Sequence, residues 1–135
     1  MHKPQEIARI VRRNLDVVLP FGQQSAVTDG DTEVEADRAL IEIGTDLRLL
    51  DDMLGIAEQL KASGYPPLGF VLQADGERLD LHFRDMTNKL MHARRFDWRH
   101  GDCPVVVCTP SRMDRWQSAE VVLNALATLC DHVLP

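Results

Sequence analysis

The stretch Leu68-Gly69-Phe70-Val71-Leu72-Gln73-Ala74-Asp75-Gly76-Glu77-Arg78-Leu79-Asp80-Leu81-His82-Phe83 carries the strongest local structural signal in the chain. Two apolar-rich runs, Leu68 to Ala74 and Glu77 to Phe83, flank Asp75-Gly76, a dipeptide that takes the positive φ of a two-residue hairpin turn at little cost. Folding about that pair sets Leu72 opposite Leu79, Phe70 opposite Leu81 and Leu68 opposite Phe83. Six apolar side chains then share one face, while Gln73 with Arg78 and Val71 with Asp80 take the other. Turn chemistry and register agree, so a hairpin over 68–83 is expected.

Upstream of the hairpin, Thr32-Glu33-Val34-Glu35 has the form of a capping box. Leu40, Ile43, Leu47, Leu50, Leu54 and Ala57 then step by three and four, as in an a/d seam. Leu49, Met53, Ile56 and Leu60 add a second stripe, so the helix is apolar on more than one side. The spacing predicts one long helix over 33–62, ended by Ser63-Gly64-Tyr65-Pro66-Pro67. Gly44 is its weak point: a break there, with Thr45 as a new N-cap, would free residues 36–43 to form a strand. Before it, Pro4 opens a helix over 4–19 carrying Ile7, Ile10, Val11, Leu15 and Val18, stopped by Pro20 and Gly22. A polar loop over 20–31 ends in Asp29-Gly30-Asp31.

Downstream, Asp85 to Arg95 is expected to be a short helix with Met86, Leu90 and Ala93 inward, followed by a loop at Arg99-His100-Gly101-Asp102. Cys103 to Cys108 reads as a short buried strand because Val105, Val106 and Val107 are β-branched and unalternated. Ser111 with Asp114 resembles a capping pair for a last helix, in which Met113, Trp116, Ala119, Val122, Leu123, Leu126, Leu129 and Val133 follow at helical spacing. The expected fold is α+β: a three-stranded sheet (hairpin 68–83 plus strand 103–108) packed with the long helix and the N- and C-terminal helices, in a single domain over 1–135. The alternative, with 36–43 as a first strand, is a ferredoxin-like βαββαβ unit with added terminal helices.

Composition excludes several function classes. With 135 residues, 44% hydrophobic and 27% charged, the chain is neither disordered nor fibrous. A net charge of −6 gives it no global attraction to phosphate. The longest apolar runs fall far short of a membrane span, and the N-terminus does not read as a signal peptide. Cys103, Cys108 and Cys130, an odd number without a secretion signal, read as reduced thiols in a cytoplasmic, bacterial protein. The charge is unevenly spread: residues 29–58 hold ten acids against two bases, and residues 78–100 hold six bases against three acids. Such a split favours self-association or a charged partner.

Three sites are suggested. His92 to His100 interleaves bases with aromatics, and Arg94, Arg95, Phe96, Trp98 and Arg99 form a candidate partner-binding segment, since Arg and Trp are favoured at interface hot spots. The same mix would suit single-stranded nucleic acid. Cys108, Ser111, Arg112 and Arg115 lie where a strand meets the expected last helix, a layout able to hold an anion; three residues separate Cys108 from Arg112, and there is no glycine, so the cysteine-phosphatase pattern is not met. Leu40, Ile43, Leu47, Leu50 and Leu54 are the candidate self-association seam. His82, His92, His100 and Cys103 lack the paired spacing of a zinc site, and no metal, cofactor or catalytic constellation is expected. These features point first to a non-enzymatic, cytosolic protein-interaction module, an adaptor, chaperone-like protein or accessory subunit, that forms a homodimer. The second reading is a small enzyme or sensor binding an anionic metabolite at the start of the C-terminal helix. The third is nucleic-acid binding through 94–100.

Overall fold

The computed structural model describes residues 3–24 and 30–135. Helix α1 (Pro4–Gln23) begins at its proline and buries Ile7, Val11, Leu15, Val18 and Phe21 along one side. It runs past Pro20 for one more turn, because that residue's carbonyl still accepts the Gln24 N–H at 3.2 Å. The expected loop over 20–31 is therefore shorter: 20–23 complete α1, Gly30 and Asp31 open the next helix, and residues 25–29, Asp29 among them, lie outside the described residues.

Helix α2 (Gly30–Leu54) starts two residues before Thr32, which sits in its first turn and not at its cap. It passes unbroken through Gly44, which overturns the strand over 36–43 and the βαββαβ alternative with it. Gly44 is a point of close approach: a Cβ there would lie 2.8 Å from Leu90 Cβ and 3.2 Å from the Thr87 carbonyl. The break comes later, at Gly55, whose φ of 68° is left-handed and open to glycine without penalty. The Gly55 N–H closes α2 on the Asp51 carbonyl at 2.8 Å, and the Asp51 carboxylate accepts the Ala57 N–H at 2.7 Å. Helix α3 (Ile56–Ser63) thus begins against a side chain of α2. The expected helix over 33–62 is two helices hinged at one residue.

Among the described residues the sheet has five antiparallel strands, in the order β2-β1-β5-β4-β3, and corrects the expected three. β1 (Gly69–Gln73) and β2 (Arg78–Leu81) form the hairpin, one residue out of the expected register. Val71 faces Leu79 and Phe70 faces Asp80, because the loop has three residues, Ala74-Asp75-Gly76. The Gly76 N–H reaches the Gln73 carbonyl at 3.0 Å, the Gln73 N–H reaches the Glu77 carbonyl at 2.8 Å, and Gly76 takes φ 90°. This is the type I turn with a left-handed third residue, and the one-residue slip turns Val71 inward and Phe70 outward.

Helix α4 (Phe83–His92) then carries the chain from one sheet edge to the other, with Phe83, Met86, Thr87 and Leu90 buried. Its expected end, at Arg95, is instead strand: β3 (Ala93–Arg99) alternates, with Phe96 buried and Arg95, Asp97 and Arg99 exposed. β4 (Val105–Pro110) also alternates, burying Val106, Cys108 and Pro110, in place of the unalternated strand expected over 103–108. The largest correction concerns the last helix. Residues from Trp116 to Val122 form β5, the central strand, paired with both β1 and β4, and only Leu123–Val133 is helix α5. Ala119 and Val121 point inward and Ser118 and Glu120 outward, a period of two hidden beneath an equally good helical spacing.

The helices gather against the inner face of the sheet: α4 and α5 touch strands, α2 lies on α4, and α1 lies on α2 and α5. Leu40, Ile43, Leu47 and Leu50 of α2 are wholly buried in that stack, together with Val106, Cys108, Val121, Leu126 and Leu129. No described helix is long and apolar enough to cross a membrane.

Candidate functional site

Helices cover one face of the sheet, and the opposite face is open. Its outward side chains are set by the register. Asp80, Phe70, Glu120, Val107 and Asp97 form one row across all five strands. Val122, Val105 and Arg99 lie in the neighbouring row on one side, and Arg78, Leu72, Ser118, Thr109 and Arg95 on the other. None of these side chains is fully buried, and Phe70 is 39% exposed. A solvated sheet face ordinarily reads polar. Here Phe70, Leu72, Val105, Val107 and Val122 break that rule on three of the five strands, leaving apolar surface outside the core.

Glu120 sits at the centre of this face and is approached from both edges. Arg78 reaches it from β2 at 3.5 Å, and its guanidinium lies 4.0 Å above the Phe70 ring on the way. Arg99 reaches it from the opposite edge strand, β3, in a short contact. Two long arginine stems therefore lie over the apolar residues of the sheet, held by one carboxylate. Arg95 pairs with Asp97 at 3.0 Å beside them. The named charges of the face, Arg78, Arg95 and Arg99 against Asp80, Asp97 and Glu120, balance one another. Their exposure makes each pair weak and exchangeable for groups on a partner.

The expected partner segment is divided by the strand. Arg95 and Arg99 join the open face, and Arg94 is exposed at a bulge between Ala93 and Arg95. Phe96 and Trp98 point the other way. Phe96 is buried, and the Trp98 indole N–H donates to the Asp37 carboxylate at 2.7 Å, with its ring edge-on to Phe21 at 4.7 Å. Burial pushes the Asp37 carboxyl above its usual range, against the opposing pull of the indole bond. The His100 Nδ1 lies 2.9 Å from the Phe21 carbonyl. A stacking platform for nucleic acid needs bare rings beside the arginines, and these rings are turned inward.

The expected anion site loses its helix. Ser111, Arg112 and Arg115 occupy the β4–β5 loop and strand approach, whereas α5 starts at Leu123, so the N-terminus of α5 lies at the far end of β5 from them. Cys108 is buried, and burial pushes its thiol up to about 12; Cys130 is pushed up to about 12 in the same way. Cys103 alone is exposed. The self-association seam is likewise spent inside the chain, with Leu40, Ile43, Leu47 and Leu50 having no exposed surface and only Leu54 reaching solvent. Part of the split charge also meets within one chain, since Arg84 pairs with Asp51 at 3.2 Å.

Sequence reasoning missed Phe70, Arg78, Val105, Val107 and Glu120 as members of one surface. The signal for β3 was present: Phe96, Trp98 and His100 alternate with Arg95, Asp97 and Arg99, a period of two. Glu120 carried none, because its segment also fits a helix. No family model, curated protein or solved structure matches this chain.

Proposed function

We propose that this chain is a non-enzymatic, cytosolic protein-interaction module that receives a partner protein on the open face of its sheet. The observation that carries this reading is the apolar centre formed by Phe70, Val105, Val107 and Val122, left partly exposed beneath arginines that share one glutamate. A partner with an apolar patch and acidic groups around it would cover those side chains and take over Arg78 and Arg99. Aromatic and arginine anchors of this kind contribute most at interface centres. The balanced charge of the face also suits a second copy of the chain, which would make the assembly a homodimer.

The test compares wild type with Phe70→Ser/Arg99→Ala, both checked for native circular dichroism. Each is used to capture proteins from lysate, and its native mass is measured in parallel. A protein retained by wild type and lost by the variant supports a foreign partner. A doubled mass that the variant halves supports a second copy. Identical captures together with identical masses refute the surface.

A further inference from the structure

Away from the sheet face, α3 and the turn after it roof a second feature. A cleft of about 430 Å³ opens between α3, residues 64–68, the start of α4 and α5. Ala57, Leu60, Tyr65, Leu68, Phe83 and Leu129 make its walls mainly apolar. Tyr65 is braced by stacking on His132 at 5.4 Å. The volume falls within the range of small-molecule sites, which are largely apolar with a few fixed polar groups.

The polar groups stand at the mouth. Lys61, His82 and Arg84 line it, with Glu58 as the acid among the lining residues. Arg84 is positioned there from within the fold. Its terminal nitrogen donates to Asp51 at 3.2 Å, and the Asp51 side chain is only 3% exposed. The other oxygen of that carboxylate is fixed by the Ala57 N–H at 2.7 Å, on the helix that forms the cleft wall. A buried acid thus orients an arginine whose side chain remains about half exposed at 55%, and a lysine stands nearby. Guanidinium groups fixed in this manner are suited to carboxylates.

We propose that this cleft binds a free amphipathic carboxylate, its hydrocarbon chain lying among Leu60, Leu68, Phe83 and Leu129 and its head group meeting Arg84 and Lys61. Arg84 and Lys61 offer an anionic head group two cationic donors, and the apolar walls select a chain over a compact metabolite. The site is distinct from the sheet face and does not depend on the partner reading.

The probe is dodecanoate, with dodecanol as the neutral match, and binding is followed by calorimetry below the micelle-forming concentration. Saturable one-to-one binding is expected for dodecanoate, with dodecanol weaker by about tenfold because it lacks the charge-assisted contact. Ala57→Phe, which fills the cleft, should abolish binding. Arg84→Gln should weaken dodecanoate about tenfold and leave dodecanol unchanged. Phe70→Ser, on the sheet face, should bind as wild type does. If Arg84→Gln or Ala57→Phe fails to fold, Lys61→Gln and the dodecanol comparison decide the matter, since Lys61 is an exposed residue. Absence of saturable binding to wild type overturns the proposal. So does equal affinity for dodecanol and dodecanoate, or binding that Phe70→Ser removes.

Discussion

Replacing Gly44 with alanine tests the packing of α2 on α4. Exposed helical glycines gain about 1 kcal/mol on becoming alanine, since alanine is the better helix former. Gly44 is not exposed. Its new methyl would stand 2.8 Å from Leu90 Cβ and 3.2 Å from the Thr87 carbonyl. Carbon atoms rest at about 3.5–4.0 Å, so the two helices must part by roughly 0.7 Å or more along that line. Leu90 Cβ and the Thr87 carbonyl belong to the body of α4 and cannot swing aside as a flexible side-chain end would. Overpacking of this sort costs about 1–3 kcal/mol, which outweighs the propensity gain and leaves a net loss of about 1 kcal/mol. Urea denaturation followed by circular dichroism measures it, with Thr45→Ala as the exposed neighbouring control that should gain a few tenths. Gly44→Val should lose several times more than Gly44→Ala. A Gly44→Ala protein more stable than wild type would refute the close approach of the two helices.

Three further predictions address the hairpin register and the thiols. Val71→Asp, at a position only 3% exposed, should cost about 3 kcal/mol or more by burying a charge, whereas Phe70→Asp should cost about 1 kcal/mol or less; chemical denaturation yielding the reverse order would restore the two-residue turn. At pH 8, a thiol reagent should label Cys103 in the folded chain and leave Cys108 and Cys130 unreacted until unfolding. Above pH 9 the unfolded thiols ionise while the two buried ones stay protonated up to about 12, so the folded state holds more protons and stability falls as pH rises. Each thiol contributes a slope of about 1.4 kcal/mol per pH unit, so denaturation of Cys108→Ala/Cys130→Ala across pH 9–11 should show a shallower decline than wild type; equal slopes would count against the burial.

The sequence made the hairpin and the first two helices visible because their signals are local. Asp75-Gly76 marks a turn, but the dipeptide is compatible with both two- and three-residue loops, and that single residue decides whether Phe70 or Val71 enters the core. β5 was illegible for a different reason. Trp116, Ala119, Val122 and Leu123 satisfy a helical spacing, while Ala119 and Val121 satisfy an alternating one, and only pairing with β1 and β4 on either side selects the strand. With β5 went the surface, since Glu120 joins Arg78 to Arg99 only once that strand lies between them. Composition suggests Trp98 and Phe96 as contact residues; the alternation of β3 sends both inward, Trp98 onto Asp37 and Phe21.

The position of β5 also orders events during synthesis. It emerges after the other four described strands, yet it sits in the middle of their sheet and joins the β1–β2 pair to the β3–β4 pair. Until residue 122 has left the ribosome, the nascent chain can hold only two separate two-stranded ribbons, each marginal in water. Contacts such as Gly69 with Val121 close a long stretch of chain, which makes them slow to form. In the interval, the inner faces of both ribbons and the apolar sides of α2 and α4 lack their final cover. A chain built in this order gains its stability only after β5 has emerged, and its exposure to aggregation is set by how quickly that strand finds its slot.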